Sequence, residues 1–228
     1  MKLSDTDALL GVAPLPLETG YERLDDGVLH VACRTDMRHC SGAMFEWWFR
    51  SRPGNERYVW WHPIDHIASH WIDGSGDTHL GSIHLAEERF TGLAAQKVAI
   101  QMREPTEFFA RDLYRAARDS AAVSAAVCAR IAESHTPARD ADGCGLGGRL
   151  LHIGRDTDWG LVLRSHFFLG QDLPAAGMSA QQIGRIFSDE FARALLQHCY
   201  NEFTFLSRFL PSLYGAENRE TVSVPLPW

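Results

Sequence analysis

The chain has 228 residues, hydrophobic residues at 45% of its positions and a formal net charge of −7 at pH 7. This length predicts one domain, or two at most, and the composition provides enough apolar side chains for a core. The negative charge and the lack of a basic stripe exclude nucleic acid as an expected partner. No window of the sequence is apolar enough to predict a membrane span.

The cysteines and the first residues of the chain predict the cellular compartment of the protein. The chain has an odd number of cysteines, and their spacing does not match that of a metal-binding ribbon. They are Cys33, Cys40, Cys128, Cys144 and Cys199. Free thiols in a reducing cytosol are the expectation. The first residues show no basic segment followed by an apolar run, so no signal peptide is predicted. We therefore expect a cytoplasmic protein, and the sequence leaves a homodimer open.

The first third of the chain predicts short elements. Residues 1–26 are predicted to be an irregular N-terminal segment, followed by a single domain over residues 27–228. Residues 28–33 alternate as a strand, and residues 41–50 predict a short helix with Ser41 as its N-cap. Pro63 breaks helices and central strands, so the aromatic segment around it predicts a loop that follows an aromatic strand.

The middle of the chain predicts strands and one helix. Residues 79–90 alternate as a strand, which places Glu88 on the same face as His84 and Phe90. Glu87 then lies on the opposite face, where a solvated charge is expected. Residues 95–102 predict a further strand and residues 106–118 a helix. Residues 120–131 fit helix and strand equally, and residues 150–154 and 160–169 predict a hairpin.

The C-terminal part, residues 179–210, predicts one long helix. Its apolar stripe has three- and four-residue steps through Ile183, Phe187, Phe191, Leu195, Phe205 and Phe209. His198 and Glu202 lie on the same stripe, one turn apart. A buried carboxylate is costly unless it is paired, hydrogen-bonded or bound to a cation. A His–Glu hydrogen bond alone would explain the pair, but together with His62 and His66 a divalent metal site explains it better.

The order of the elements predicts the fold class. Strands and short helices come first and one long helix comes last, which is typical of an α+β protein. We expect an antiparallel sheet that curls around the C-terminal helix and leaves a central cavity. His66, Glu88, His198 and Glu202 would point into this cavity.

Four motifs together resemble a known family. They are Glu-Trp-Trp-Phe at 46–49, Tyr-x-x-Trp-His-Pro-x-Asp-His at 58–66, Glu-Arg-Phe-Thr-Gly at 88–92 and His-x-x-x-Glu at 198–202. In this order they resemble the 2,4-diacetylphloroglucinol hydrolase family, which includes phloretin hydrolase. The resemblance runs from about residue 44 to about residue 213. It implies a helix-grip fold, like that of START-type domains, and zinc-dependent hydrolysis of the carbon–carbon bond between an acyl group and a phenolic ring.

The resemblance also implies roles for individual residues. The zinc ligands would be His66, Glu88, His198 and Glu202. Tyr58 and His152 would contribute to catalysis by contacting the substrate. From the chemistry of the site we expect the catalytic candidate His62, with Asp65, either to supply a base or to orient His66. The substrate-binding candidates are Ser69, Phe167 and His166, and His166 is the second choice for the position assigned to His152. Ser69 and Phe167 depart from the family, which has an asparagine and a tyrosine there, so the substrate need not be the same.

Two other functions compete with the hydrolase. The same fold could be a non-catalytic binding protein for an apolar or aromatic small molecule, without a metal. It could also be a polyketide cyclase-like enzyme that uses His and Tyr and no metal. Four ligand-type residues favour the zinc hydrolase, because a simple binding cavity gains nothing from buried carboxylates. The expected partner is a small aromatic or diketone substrate.

Overall fold

The computed structural model describes residues 1–74, 76–136, 138–141 and 143–220. In these ranges the strands are β1 (Gly20–Arg23), β2 (Leu29–Arg38), β3 (His66–Ile72), β4 (Ile83–Glu88), β5 (Gln96–Arg103), β6 (Ala125–Glu133), β7 (Gly148–Thr157) and β8 (Gly160–Leu169). The α-helices are α1 (Gly42–Arg50), α2 (Asn55–Trp61), α3 (Arg111–Asp119), α4 (Ala180–Ile186) and α5 (Asp189–Glu217). Two 3-10 helices span Leu3–Leu10 and Pro105–Glu107. The end of the predicted domain, residues 221–228, lies outside the described residues.

All eight strands form one curved sheet in the order β1-β2-β8-β7-β6-β5-β4-β3. Every neighbouring pair is antiparallel. The C-terminal helix α5 packs on one face of this sheet, which we call the inner face, and contacts β1 and β2 at one end of it. The predicted α+β class, with a curved antiparallel sheet and a long C-terminal helix, is confirmed.

The predicted single C-terminal helix is two helices. Phe187 leaves the helical conformation at φ −103° and ψ 77°, and Ser188 begins α5 by accepting a hydrogen bond from the Phe191 N–H at 3.2 Å. The buried face of α5 comprises Ala192, Leu195, His198, Cys199, Glu202, Phe203, Leu206, Leu210 and Gly215. Phe205 and Phe209 were predicted on the buried stripe and are only half-buried. Neither α5 nor any other helix in the described ranges combines the length and hydropathy needed to cross a bilayer.

The N-terminal segment is not irregular, contrary to the prediction. Residues Leu3–Leu10 form a 3-10 helix, and β1 pairs with β2 at the edge of the sheet. Leu9 and Leu10 are buried in a second apolar cluster, which includes Phe168 of β8 and covers the outer face of the sheet. These apolar contacts order a segment that has little periodicity of its own.

The aromatic segment is helical where a strand was predicted. Helix α2 spans Asn55–Trp61 and ends at His62, directly before Pro63. Tyr58 and Trp61, three residues apart, are both buried, whereas Trp60 between them is half exposed. That spacing matches a helix rather than a strand. The ambiguous residues 120–131 resolve as strand β6, which begins at Ala125.

Candidate active site

A cavity with about 110 Å³ of space for the centres of water-sized spheres lies between the inner face of the sheet and α5. Its wall is mostly apolar and includes Val98, Ile100, Leu150, Phe167 and Leu195. Most of its polar side chains gather in one region, at Tyr58, His66, His84, Glu88, His198 and Glu202. A mainly apolar pocket with a few convergent polar groups is the usual form of a small-molecule site.

Four of these side chains form the His/Glu cluster: His66, Glu88, His198 and Glu202. His66 and Glu88 are paired across β3 and β4, and His198 and Glu202 lie one turn apart on α5. The Nε2 atom of His198 is 3.6 Å from Glu88 Oε2 and 3.9 Å from Glu202 Oε2. The Nε2 atom of His66 is 3.8 Å from Glu202 Oε2. Two strands and one helix therefore bring two imidazoles and two carboxylates together.

The two imidazoles of the cluster are held by their other nitrogens. The Nδ1 atom of His66 lies 2.7 Å from the main-chain carbonyl oxygen of Tyr58, and its ring stacks on the Tyr58 ring at 3.7 Å. The Nδ1 atom of His198 lies 2.9 Å from Asp65 Oδ2. Since both acceptors are oxygens, each Nδ1 donates and each Nε2 is left facing the carboxylates.

Burial makes the negative charge of the cluster costly. Burial raises the pKa of Glu202 to about 8, and nearby Glu88 adds to this shift while His198 opposes it. Burial also raises the pKa of Glu88. Burial disfavours the charged form of His198, but its hydrogen bond to Asp65 and the charges of Glu202 and Glu88 prevail and raise its pKa. The cluster therefore lacks enough positive charge to keep both carboxylates ionised at neutral pH.

The donor set of the cluster fits a divalent cation. His66, His198 and Glu202 have ligand atoms within 4.8 Å of one another, and Glu88 approaches the same His198 nitrogen. Imidazole nitrogens and carboxylate oxygens are donors that zinc accepts. A bound cation would also supply the positive charge that two buried carboxylates require.

Tyr58 lies beside the cluster as a hydrogen-bond donor. Its hydroxyl donates to Glu88 Oε2 at 3.2 Å, and its side chain is almost fully buried. Burial, together with the charges of Glu88 and Glu202, raises the pKa of Tyr58 well above its ordinary value. The phenol therefore keeps its proton over the whole physiological range.

His152 projects from β7 into the cavity, opposite the apolar face of α5. Its Nδ1 atom shares a hydrogen bond of 2.8 Å with Ser165 Oγ, the residue directly across the β7–β8 pair. Phe203 contacts the ring edge-on at 4.8 Å. Burial lowers the pKa of His152 to about 3, so its imidazole is neutral at physiological pH.

A sequence model of one protein family, described as the DAPG hydrolase PhiG domain, matches residues 1–215. The chain belongs to the DAPG hydrolase family. A 2,4-diacetylphloroglucinol hydrolase from a Pseudomonas species is 24% identical over 232 aligned positions, which cover 93% of this chain and 76% of that protein. A protein of the same name from Pseudomonas protegens is also 24% identical and is covered to 72%. The resemblance predicted from the four motifs is confirmed.

Two solved structures are similar in overall shape. Ara h 8.0201 has a TM-score of 0.48 and 12% identity, over 82% of this chain and 99% of its own. Protein Ms6760 from Mycobacterium smegmatis has a TM-score of 0.46 and 9% identity, over 86% of this chain and 98% of its own.

In this member of the DAPG hydrolase family, two predicted site residues lie behind the cavity wall. His62 stacks on His198 at 4.8 Å and does not line the cavity. Ser69 Oγ shares a hydrogen bond of 2.8 Å with His84 Nε2, and His84 is the residue that lines the cavity. Ser69 is thus placed to hold His84 rather than to touch a ligand.

The sheet places His152 in the cavity and His166 on the opposite face. His166 is on the outer face of β8, where its Nδ1 atom shares a hydrogen bond of 2.9 Å with His30 Nε2. The prediction of His166 as a substrate-binding residue is therefore wrong, because consecutive strand residues point to opposite faces. The next residue, Phe167, lines the cavity, and its role in substrate binding stays a prediction.

Two residues of the site had no assigned role in the sequence. His84 lines the cavity, stacks on Trp71 at 4.4 Å and meets Tyr58 edge-on at 5.1 Å. The alternation of β4 already placed it on the face of Glu88, and this signal could have found it. Ser165 supports His152 from the neighbouring strand, and no local pattern marks it.

Proposed function

We propose that this chain is a zinc-dependent hydrolase that cleaves the carbon–carbon bond between an acyl group and a phenolic or diketone-like ring. The His/Glu cluster in an otherwise apolar cavity is the observation that carries this proposal. Family membership supports it, because the relatives are named 2,4-diacetylphloroglucinol hydrolases. The substrate would be a small acylated phenol of that kind, with its ring against the apolar wall.

His66, Glu88, His198 and Glu202 would hold the metal. When bound, zinc lowers the pKa of a water molecule to near neutrality and polarises a carbonyl oxygen. The two glutamates neutralise the charge of the ion, so a nearby base should assist in activating water. A substrate seated against the apolar wall, formed by residues such as Val98 and Leu150, would displace water there, which would strengthen the polar contacts in the cavity.

The reaction consumes one water molecule. Its hydroxyl group joins the acyl carbon, the bond from that carbon to the ring breaks, and a proton ends on the ring carbon. An acylated polyphenol is a vinylogous diketone, so protonation of that ring carbon gives a ketone tautomer that can leave. His152, which is neutral and faces the cavity, would bind a phenolic hydroxyl by a hydrogen bond and orient it while the proton moves through water. Tyr58, which keeps its proton, would donate a hydrogen bond to a phenolic or acyl oxygen.

The test combines metal analysis with an isotope experiment. The purified protein should contain about one zinc ion per chain, lose activity on 2,4-diacetylphloroglucinol after chelation, and regain it when zinc is added. In water labelled with oxygen-18, hydrolysis of the carbon–carbon bond places the label in acetate and none in the ring product. Mass spectrometry of both products measures this distribution.

Three results would contradict the proposal. Activity that survives complete removal of metal would favour a metal-independent, cyclase-like reaction. Tight binding of the acylated phenol without turnover in the zinc-loaded protein would favour a binding protein. Label in the ring product above the level that the same compound gains by exchange without enzyme would show that a bond to ring oxygen or carbon is hydrolysed instead.

A further inference from the structure

We propose that Asp65, supported by His62, is a positioning residue that fixes the ring of His198 with its Nε2 atom toward Glu88 and Glu202. This inference rests on the metal site of the proposed function. Asp65 follows α2 directly before β3, so it lies on a different element from the helix that carries His198.

The carboxylate of Asp65 holds the far side of the His198 ring. Its Oδ2 atom is 2.9 Å from His198 Nδ1, and each side chain is only 4% exposed. A carboxylate can only accept a hydrogen bond, so the proton of the neutral imidazole lies on Nδ1. The lone pair is then on Nε2, which lies 3.6 Å from Glu88 Oε2. This is the tautomer that a metal-binding Nε2 atom requires.

His62 supports this arrangement from behind. The Asp65 N–H donates to His62 Nδ1 at 3.0 Å, so the neutral His62 ring carries its proton on Nε2. That Nε2 atom lies 3.5 Å from Asp65 Oδ2, the same oxygen that accepts from His198. The His62 and His198 rings are stacked at 14°, and Phe90 packs on His198 at 4.6 Å. Packing and hydrogen bonding therefore restrict the same ring.

The other imidazole of the cluster is held differently. His66 donates to a main-chain carbonyl, that of Tyr58, and no side-chain substitution removes this acceptor. His198 depends on the Asp65 side chain instead. A substitution at position 65 should therefore disturb one ligand of four and leave the other three in place.

A second arrangement uses the same side chains. The ligand atoms of His62, Asp65 and His198 also lie within 4.8 Å of one another, so these three residues could hold a cation of their own. In that case Asp65 would be a ligand of a second ion rather than a positioning residue. Zinc stoichiometry separates the two roles.

The experiment compares Asp65→Asn with Thr91→Val. Asparagine keeps the shape of the side chain but lacks the negative charge of the carboxylate that accepts the hydrogen bond from His198. Thr91→Val removes a hydrogen bond to the other carboxylate oxygen of Asp65, from Thr91 Oγ1 to Oδ1 at 3.4 Å, and leaves the contact with His198 in place. Zinc affinity is measured by competition with a chromophoric chelator, stoichiometry by elemental analysis, and folding of the metal-free proteins by circular dichroism and thermal melting.

We expect Asp65→Asn to bind one zinc ion about 10–100-fold more weakly than the wild type, as typical for a lost contact behind a ligand. Thr91→Val should stay within about threefold, and both variants should melt cooperatively. Unchanged zinc affinity in Asp65→Asn would overturn the proposal. It would also be overturned if the wild type bound two zinc ions per chain and Asp65→Asn bound only one. A wild type that binds zinc without cleaving acylated phenols would refute only the proposed function, and one that binds no zinc would refute both.

Discussion

Glu87 and Glu88 are adjacent in β4 and face different surroundings. Glu88 contacts His198 and Tyr58 in the cavity, whereas Glu87 is half-buried and lies 4.0 Å from the ammonium group of Lys97. We expect Glu88→Gln to lower kcat/KM by about 100-fold or more, because transition-state charge stabilisation of several kcal/mol depends on the cluster. Glu87→Gln should have nearly wild-type activity. Steady-state kinetics of both purified variants measure the difference, and equal losses would contradict the assigned roles.

Phe167 is the second residue whose role can be tested alone. It lines the cavity and meets His152 edge-on at 6.0 Å, in a position where the family resemblance implies a tyrosine. We expect Phe167→Tyr to raise kcat/KM for diacetylphloroglucinol about tenfold relative to a less hydroxylated acyl-phenol, the effect of one added hydrogen bond of about 1–1.5 kcal/mol. Competition assays with both substrates measure the ratio.

The neighbouring residue supplies the control for that experiment. Phe168 is fully buried on the outer face of β8 and stacks on His30 at 4.7 Å. Phe168→Tyr adds the same hydroxyl away from the cavity, so the substrate ratio should not change even if the protein loses stability. A ratio that changes equally in both variants would mean that the hydroxyl does not act by touching the substrate.

At the scale of single elements, β8 shows where sequence patterns stop being informative. All ten of its residues are buried, because one face belongs to the main apolar cluster that also contains residues of α5, and the N-terminal segment helps to cover the other face. The alternation of polar and apolar residues that assigns faces is therefore missing. His152 and His166 could not be separated for this reason, whereas β4, whose Leu85 and Glu87 are only partly buried, showed the correct face for Glu88.

Helix α2 was missed for a different reason. Its seven residues form fewer than two turns, and its aromatic and β-branched side chains favour strands by intrinsic propensity. The contacts that stabilise it are tertiary, such as the stack of Tyr58 on His66. Short helices held by such contacts carry almost no periodic signal of their own.

The start of α5 offers a prediction about stability. Ser188 accepts a hydrogen bond from Phe191 N–H and separates α4 from the helix that carries His198 and Glu202. Ser188→Ala removes this cap, and we expect the free energy of unfolding to fall by about 1 kcal/mol. For a chain of this size the melting temperature should fall by about 2–4 °C. Thermal melting of the metal-free protein measures the change.

A matched cap tests whether this loss comes from the hydrogen bond. Ser188→Asp keeps an acceptor at the N-cap, so it should restore most of the stability. If Ser188→Asp were as destabilised as Ser188→Ala, the serine would be needed for packing and not for its hydrogen bond. Zinc binding should survive in both variants, since the cluster lies more than two turns further along the helix.

At the scale of the whole molecule, the sequence was a better guide to which residues lie together than to the elements that bring them together. Burying acidic side chains is costly in free energy unless they are paired or bind a cation. This argument uses the sequence alone, and it brings His66 and Glu88 together with His198 and Glu202. The layer of contacts behind the cluster was not predictable, because Asp65 and His198 are 133 positions apart. The carboxylate of Asp65 contacts His198, whereas His66 is held by the main-chain carbonyl of Tyr58.

The buried titratable groups predict how the stability of the metal-free protein depends on pH. Burial lowers the pKa of seven histidines, namely His30, His62, His66, His79, His84, His152 and His166. Below about pH 6.5 the unfolded chain binds protons at these positions and the folded chain does not, so stability falls as the pH falls. Glu202 acts in the opposite direction, because its folded pKa of about 8 lies above its ordinary value of 4.5. The folded state then loses stability as the pH rises toward 8.

We therefore expect the metal-free protein to be most stable near pH 6.5, with a melting temperature that falls toward about pH 5 and toward about pH 8. Zinc should reverse the alkaline decline, because it binds the deprotonated ligands and stabilises the fold more as protons leave them. Melting curves with chelator and with zinc across this range measure both effects. Glu202→Gln should weaken the alkaline decline without metal, leaving the part that comes from Glu88 and His198, whose pKa values are also raised, whereas the exposed Glu190→Gln on the same helix should retain the full decline. A zinc-induced shift in melting temperature that stays constant with pH would contradict a site built from these carboxylates.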